Sequence, residues 1–174
     1  IIGMGRIGLE VARRAAGFDM DVVYTDVVRR QDIEQEYKIR YVDMDTLLKE
    51  SDFVSIHTVL SKSTHHLIDK EALSKMKKSA ILVNAARGAI VDHKALYNAL
   101  KMGVISAAGL DVTEPEPIPS NDPLLTLDNC VIVPHIASAT VKTRAEMSRI
   151  TVQNLINGLK GERLLTCVNP EVYD

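Results

Sequence analysis

The sequence predicts an α/β fold built on a doubly wound parallel sheet. Short apolar runs alternate with amphipathic helical stretches along most of the 174 residues, which is typical of strands buried on both faces beneath helices. A glycine-rich turn, Gly3-Met4-Gly5-Arg6-Ile7-Gly8, lies between an apolar start and the first helical stretch. Ionisable residues follow several of the apolar runs, where the carboxyl ends of parallel strands would share one edge.

The first third of the chain supplies the elements nearest the glycine turn. The spacing of Ile7, Val11, Ala12 and Ala15 predicts a helix over residues 6–16 with these four facing inward, ended by Gly17. A strand over 22–24, a short helix within 28–38 and a strand over 39–42 follow. A helix then extends to about Glu50, with Asp43 or Asp45 as its cap.

The remaining elements continue the alternation. Strands are predicted over 53–56, 80–83, 104–110 and 130–133. Helices are predicted from Asp69 to about Met76, from Asp92 to about Met102, and from Thr140 to about Leu159. The proline-rich segment 114–128 is expected to be a structured loop, because proline lacks the donor that a sheet ladder needs.

Composition excludes several classes of partner. With 46% hydrophobic and 25% charged residues and a net charge of −2, the chain lacks the electrostatic signature of nucleic-acid or anionic-membrane binding. No apolar stretch approaches the roughly 18 residues needed to span a bilayer. Cys130 is expected to be a buried thiol, far from Cys167, and a reducing, cytoplasmic setting follows as the default. The adjacent His65 and His66 are expected in a solvated turn, and no metal site is predicted.

The chain opens on two apolar residues directly before the glycine turn. A strand that feeds such a turn needs about four to six residues. We therefore expect the first strand to be truncated and the chain to have been cut from a longer protein.

The glycine turn has the spacing of a dinucleotide-binding, Rossmann-like loop. Gly3 would permit the tight turn, Gly5 the approach of a pyrophosphate, and Gly8 close packing of helix on strand. The helix N-terminus adds free N–H groups and a partial positive charge. A tight turn that binds no ligand is the alternative.

Asp26 follows the second strand, where an acidic side chain would hydrogen-bond the adenosine ribose. Its charge would repel a 2′-phosphate, which favours NAD over NADP. Arg29 and Arg30 could instead accommodate that phosphate, so NADP stays possible.

Three ionisable residues follow the glycine turn in a pattern that suits reduction of a small 2-oxo acid. Arg87 would emerge at the carboxyl edge of the sheet and grip a substrate carboxylate. His135, which ends another strand, could exchange a proton near neutral pH. Glu116 would orient its imidazole and favour the protonated form, although Glu114 competes for this role. Taken singly, each could equally be structural: a surface-paired arginine, a solvated acid or a turn histidine.

Several long motifs resemble the D-isomer-specific 2-hydroxyacid dehydrogenase family. They are the glycine turn and the segments 84–92 (NAARGAIVD), 108–112 (AGLDV), 116–117 (EP) and 134–140 (PHIASAT). The stretch 111–125 (DVTEPEPIPSNDPLL) looks most like the glyoxylate/hydroxypyruvate reductase branch. That branch often uses NADPH and has no acid after the second strand, so Asp26 departs from its pattern.

The resemblance implies catalytic roles for Arg87 with substrate, for His135 as acid and base, and for Glu116, rather than Glu114, as its partner. It places Asp111 near the nicotinamide carboxamide and Thr64 close to the cofactor. The predicted cofactor contacts are Gly3, Gly5, Arg6, Ile7, Gly8, Asp26, Thr64, Ala85, Asp111, His135 and Ser138.

The resemblance also implies a homodimer and a two-domain protein of which this chain is a fragment. Residues 1–140 would form the dinucleotide-binding domain, and residues 141–174 would return toward a substrate domain whose larger part is missing. The fragment alone is expected to bind dinucleotide and to be inactive. A dinucleotide-sensing, protein-binding relative of the corepressor type is the alternative function, whereas formate dehydrogenases carry Gln at the position of Glu116.

Overall fold

The computed structural model describes all 174 residues and separates them into two units, Ile1–His135 and Ile136–Asp174. The first unit ends at His135, five residues before residue 140, the predicted end of the dinucleotide-binding domain. The domain bounds 1–140 and 141–174 stay predictions.

The first unit alternates strands and helices along the chain. Its strands are β1 Val23–Tyr24, β2 Arg40–Tyr41, β3 Phe53–Ile56, β4 Ile81–Asn84, β5 Ala107–Leu110 and β6 Cys130–Ile132. Its helices are α1 Arg6–Ala15, α2 Gln31–Tyr37, α3 Met44–Glu50, α4 Lys70–Lys75 and α5 His93–Lys101. Short 3₁₀ turns occupy Ala16–Phe18, Gly88–Ile90 and Pro123–Thr126.

All strand pairs are parallel, as the alternating pattern predicts. β1 pairs with β2, and β3 to β6 form a four-stranded sheet in sequential order. Ile2 joins the two groups, because it forms parallel bridges with Thr25 beyond β1 and with Ile56 of β3. The predicted doubly wound sheet is confirmed, with the glycine turn at the point where the strand order reverses.

Two hydrophobic clusters hold the helices onto the strands. The larger contains fully buried residues from β3, β4, α3 and α5, such as Val54, Leu82, Leu47 and Leu96. The smaller surrounds Tyr24 of β1 with Met4, Ala12 and residues of α2 and β2. Their burial removes apolar surface from water on both sides of the strands, which is the main force that orders such a fold.

Helix starts follow the caps that the sequence predicts. The side chains of Asp43, Asp69 and Asp92 accept backbone N–H bonds three residues onward at 2.8, 2.9 and 2.9 Å. Of the two candidates for α3, Asp43 is therefore the cap. Each bond satisfies a helical N–H group that otherwise has no partner.

Three details of the predicted elements are wrong. Ile7 does not face the core, because it is 65% exposed while Gly8 and Ala12 form the buried face of α1. Gly17 does not end the helical segment, which closes at the left-handed Asp19, φ 53°. The strand predicted over 104–110 begins only at Ala107, since the Val104 N–H bonds back to the Ala99 carbonyl at the end of α5.

The second unit consists of one long helix and an irregular tail. Helix α6 spans Val141–Leu159, and Thr140 caps it by accepting the Thr143 N–H at 3.1 Å. The tail folds back on the end of this helix, where Asn157 donates to the Arg163 carbonyl at 3.0 Å. A 3₁₀ turn, Pro170–Tyr173, completes the unit.

None of the helices combines the length and the apolar character that a membrane crossing requires. The two cysteines are unpaired, and burial raises the pKa of the Cys130 thiol to about 11. Cys130 is half-buried rather than buried as predicted, and its thiol stays protonated at neutral pH.

Candidate active site

The three glycines of the turn have three different surroundings. Gly3 has a φ of +93°, and a Cβ on it would lie 2.7 Å from the His57 carbonyl carbon. A Cβ on Gly8 would overlap the Gly3 carbonyl oxygen, so only glycine lets α1 pack this close to the strand end. Gly5, the N-cap of α1, faces open space, and a Cβ on it would meet no atom within 4 Å. A cradle at the helix N-terminus is thus left free for a ligand.

Asp26 closes the turn from the end of β1. One of its carboxylate oxygens, Oδ2, accepts the Met4 N–H at 2.6 Å, and Oδ1 accepts the Val28 N–H at 3.4 Å. The carboxylate is therefore fixed beside the glycine turn. Sequence reasoning assigned Asp26 to the ribose and missed this link, which joins residues 22 positions apart.

Both arginines that could have received a 2′-phosphate are paired with acids. Arg29 bonds Glu34 at 2.7 Å, and Arg30 bonds Asp32 at 2.7 Å. The Arg29 guanidinium also holds the pKa of the Glu34 carboxyl below its usual range. These partners reduce the positive charge available to a phosphate near Asp26, which agrees with NAD.

A buried asparagine shapes the turn that presents Arg87. Asn84, at the end of β4, is fully buried. Its amide donates to the Arg87 carbonyl at 2.9 Å and accepts the Ala86 N–H at 3.0 Å. The Arg87 side chain is exposed, and its guanidinium donates to the Ala86 carbonyl at 2.6 Å. Asn84 therefore positions the backbone of Arg87. It belongs to the motif 84–92, but the sequence alone did not indicate this role.

Backbone hydrogen bonds connect the three strand ends that carry the predicted residues. The Asp111 N–H donates to the Asn84 carbonyl at 2.9 Å, and the His135 N–H donates to the Asp111 carbonyl at 2.9 Å. His135 has a left-handed backbone, φ 54°, a conformation that non-glycine residues adopt mostly in turns and at constrained sites. The ends of β4, β5 and β6 are thereby locked side by side.

Glu116 and His135 form a hydrogen-bonded pair, as the sequence predicts. The Nδ1 atom of His135 lies 2.6 Å from Oε1 of Glu116, a distance typical of a charge-assisted hydrogen bond. Both side chains are partly exposed, at 49% for His135 and 39% for Glu116. This contact involves Nδ1 and not the second imidazole nitrogen, Nε2. Glu114, the competing acid, contacts His66 instead, at 2.8 Å.

Two cavities lie along this edge of the first unit. One of about 450 Å³ is lined by Asp111, Glu116 and His135 together with apolar residues of the proline-rich loop. The other, of about 380 Å³, is lined by Ile7, Ala85 and Arg87 and by the segment 57–60. A larger cavity, about 620 Å³, lies at the amino ends of the strands near Asp52 and Phe53. Ligands of open α/β sheets bind at the carboxyl ends, so the two smaller cavities form the candidate site.

His57 and the remaining predicted contacts have varied settings. His57 lines the smaller cavity, and burial lowers its pKa, so its imidazole is neutral near pH 7. The Thr64 hydroxyl is engaged within its own loop, donating to the Val59 carbonyl at 2.6 Å. Arg6 begins α1 and is exposed. Ser138 belongs to the second unit.

Comparison with known proteins shows which family the chain resembles. A family model described as "D-isomer specific 2-hydroxyacid dehydrogenase, NAD binding domain" matches residues 1–137. The chain is 54% identical over 172 residues to a glyoxylate reductase of Korarchaeum cryptofilum, covering 99% of this chain and 52% of that protein. It is 51% identical over 173 residues to glyoxylate/hydroxypyruvate reductase B of an Enterobacter strain, covering 99% and 53%.

A solved structure shares the fold. The NAD-complexed D-isomer specific 2-hydroxyacid dehydrogenase of Lactobacillus delbrueckii ssp. bulgaricus superposes with a TM-score of 0.86 at 38% identity, over 97% of this chain and 54% of that one. The chain spans about half the length of the curated relatives it matches.

Proposed function

The chain belongs to the D-isomer specific 2-hydroxyacid dehydrogenase family as its NAD-binding domain, and from this we propose that the full-length protein reduces a small 2-oxo acid of the glyoxylate or hydroxypyruvate type. The product would be the corresponding 2-hydroxy acid. The observation that carries the proposal is the Glu116–His135 pair, held at 2.6 Å on the carboxyl edge of the sheet.

The glycine turn suits a dinucleotide. The open space at Gly5 and the free N–H groups at the start of α1 would receive the pyrophosphate. Asp26 would accept a hydrogen bond from the adenosine ribose, with Ile7, Ala85 and Asp111 along the path toward the nicotinamide. NADH, when bound, supplies the hydride for the substrate carbonyl carbon.

Arg87 would bind the substrate. Its side chain is exposed at the edge of the 380 Å³ cavity. A guanidinium can hold a carboxylate through two parallel hydrogen bonds, which fixes the orientation of the neighbouring carbonyl as well as its position. The Asn84 bonds keep the Arg87 backbone in place for this contact.

His135 would protonate the oxygen that becomes the hydroxyl group. As the carbonyl is reduced, negative charge develops on that oxygen, and a nearby imidazolium both stabilises the charge and gives up its proton. Glu116 would stabilise the imidazolium and fix its orientation through Nδ1. In the reverse direction, the neutral imidazole would take the proton from the hydroxyl group.

A substrate panel with the full-length protein tests the proposal. We expect turnover of glyoxylate and hydroxypyruvate, measured with NADH and NADPH separately, and a lower KM for NADH. Tight NADH binding without turnover of any 2-oxo acid would contradict the enzyme proposal and favour a dinucleotide-sensing, protein-binding role. The homodimer and the cytoplasmic location stay predictions.

The His135→Ala variant tests the proton-transfer role directly. Reduction should fall by roughly 10²–10⁴-fold, while the dissociation constant for NADH stays close to that of the wild type. Full turnover in this variant would refute the role.

A further inference from the structure

A second cluster of ionisable side chains lies apart from the Glu116–His135 pair. His65, His66 and Glu114 each present one potential metal ligand, and these atoms all lie within 4.8 Å of one another. We propose that these three side chains form a binding site for one divalent transition-metal ion of the Zn²⁺ class. The proposal does not depend on the reductase activity.

The donor atoms converge on one carboxylate. Nε2 of His66 lies 2.8 Å from Oε2 of Glu114, and Nε2 of His65 lies 3.7 Å from Oε1. The two imidazole rings are stacked with centroids 3.9 Å apart. Ligand atoms around a Zn²⁺ ion bound at about 2.0–2.2 Å lie roughly 3–4 Å apart. To admit the ion, the two exposed imidazole rings must turn out of their stacked arrangement, so that both Nε2 atoms face one point beside the Glu114 carboxylate.

The backbone holds this arrangement in place. Consecutive side chains usually diverge, but His66 has a left-handed conformation, φ 51°, which brings its ring beside that of His65. The His66 N–H donates to the Ala89 carbonyl at 2.8 Å. Ala89 belongs to the 3₁₀ turn Gly88–Ile90. A Cβ on Gly88 of this turn would overlap the Thr113 carbonyl, so the backbone just before Glu114 packs directly on the turn. One 3₁₀ turn thus anchors both ligand-bearing segments.

The chemistry of the donors suits a borderline metal. Two imidazoles and one carboxylate are the protein ligands of many Zn²⁺ sites that keep a position open to water. The side chains are 51%, 38% and 39% exposed, which leaves access for the ion and its waters. The basic side chains that contact the Glu114 carboxylate are the two imidazoles, so no lysine or arginine competes for it.

A third histidine, His93, contacts the backbone of Glu114. The Glu114 N–H donates to Nδ1 of His93 at 3.4 Å. This hydrogen bond helps to position the Glu114 backbone.

Titration of the metal-free chain with Zn²⁺ by calorimetry, and with Co²⁺ by visible absorption, tests the proposal. We expect one ion per chain near pH 7.5. His66→Asn, His65→Gln and Glu114→Gln should each weaken binding by about tenfold or more. Asparagine is chosen at position 66 because it adopts the left-handed conformation readily, so the backbone is kept.

His57→Asn and His135→Asn are the matched controls, because each removes a histidine elsewhere in the chain. Both should bind Zn²⁺ with wild-type affinity. Circular dichroism and thermal unfolding in a chelator check that every variant is folded. Absence of stoichiometric Zn²⁺ binding in the wild type would overturn the proposal and leave the cluster as a histidine–glutamate ion pair. Loss of binding in His135→Asn with retention in the His65 and His66 variants would overturn it equally.

Discussion

At the scale of single residues, the role proposed for Glu116 is to act through His135 rather than on the substrate. Its carboxylate is 2.6 Å from Nδ1 of His135, so in the proposed reaction it would fix the orientation of the imidazole and stabilise the proton-bearing form. In the full-length protein, Glu116→Gln keeps a hydrogen-bonding side chain and removes the charge. We expect kcat for reduction to fall on the order of 10²-fold, without loss of NADH affinity.

The control for this change is Glu162→Gln, an exposed glutamate in the second unit. Steady-state kinetics and NADH titration on both variants separate catalysis from binding. Equal activity of Glu116→Gln and wild type would show that the Glu116–His135 pair has no part in the reaction.

Alanine substitutions at two glycines of the same turn are expected to affect different properties, protein stability for Gly8 and cofactor binding for Gly5. Alanine at Gly8 would overlap the Gly3 carbonyl oxygen, so Gly8→Ala should lower the free energy of unfolding by about 1–3 kcal/mol. Alanine at Gly5 meets nothing in the protein, so Gly5→Ala should change that free energy by less than about 1 kcal/mol. Its methyl group would instead occupy space reserved for the pyrophosphate and raise the NADH dissociation constant about tenfold.

Urea unfolding and NADH fluorescence titration measure the two effects, and each variant is the control for the other. Wild-type NADH affinity in Gly5→Ala would place the pyrophosphate elsewhere. Wild-type stability in Gly8→Ala would mean that helix α1 can shift away from the strand at little cost.

Residue roles were predictable where they depend on sequence-local chemistry and a recognisable motif. The spacing of the glycines and the acid before Pro117 are of this kind. The bonds from Asp26 to Met4 and from His66 to Glu114 join residues 22 and 48 positions apart. No local pattern specifies such contacts, because they depend on how the strands are ordered in the sheet.

At the scale of elements, local capping chemistry decides where helices begin. Thr46 donates to Asp43 through its backbone N–H and its hydroxyl, both at 2.8 Å. These bonds hold the pKa of the Asp43 carboxyl below its ordinary value of 3.8. Such local signals explain why the starts of α3, α4, α5 and α6 were predictable.

The Asp43 cap carries a pH dependence whose sign follows from this shift. Because the folded state favours the charged carboxylate, the cap stabilises the protein above the unfolded pKa and loses this contribution as the pH falls through the lower folded pKa. Asp43→Asn keeps a capping side chain that does not titrate. We expect wild type to be the more stable at pH 6 and the difference to shrink below about pH 4.

Thermal unfolding of the two proteins from pH 6 to about pH 3 measures this difference. Asp21→Asn, at an exposed aspartate outside any helix cap, is the control. A difference that stays constant across this pH range would mean that the Asp43 charge plays no part in the cap.

Element ends depend on how the backbone closes its last turn, and two of them were missed for that reason. The segment before β5 was predicted as strand from its apolar residues, but Val104 bonds back to α5 and Ile105 is buried without a ladder partner of its own. Helix α1 continues into a 3₁₀ turn because Asp19 and Met20 donate to the Ala16 and Ala15 carbonyls, so the helical segment closes at Asp19, two residues after Gly17.

At the scale of the whole molecule, the order of the strands brings the site together. Ile2 bridges Thr25 and Ile56, so the glycine turn lies where the sheet changes direction. The ends of β4, β5 and β6 continue the same edge and carry Arg87, Asp111 and His135. The alternation of apolar runs and helices was enough to predict the parallel sheet, since each strand–helix–strand unit has essentially one favourable handedness.

This arrangement predicts a separation of binding from turnover. The cofactor cradle and the Glu116–His135 pair lie within Ile1–His135, whereas the chain covers about half of its relatives' length. We expect the 174-residue chain to bind one NADH, which is measured by the blue shift and the increase of NADH fluorescence. The same chain should reduce glyoxylate at least about 10³-fold more slowly than the full-length protein does. Positioning of both reactants supplies a factor of this order or more.

Asp26→Ala should weaken NADH binding in both proteins alike, which ties the fluorescence signal to the glycine turn. Turnover by the short chain at the full-length rate would show that Arg87 and its cavity suffice to position the substrate, and failure of both proteins to bind NADH would refute the assigned cradle.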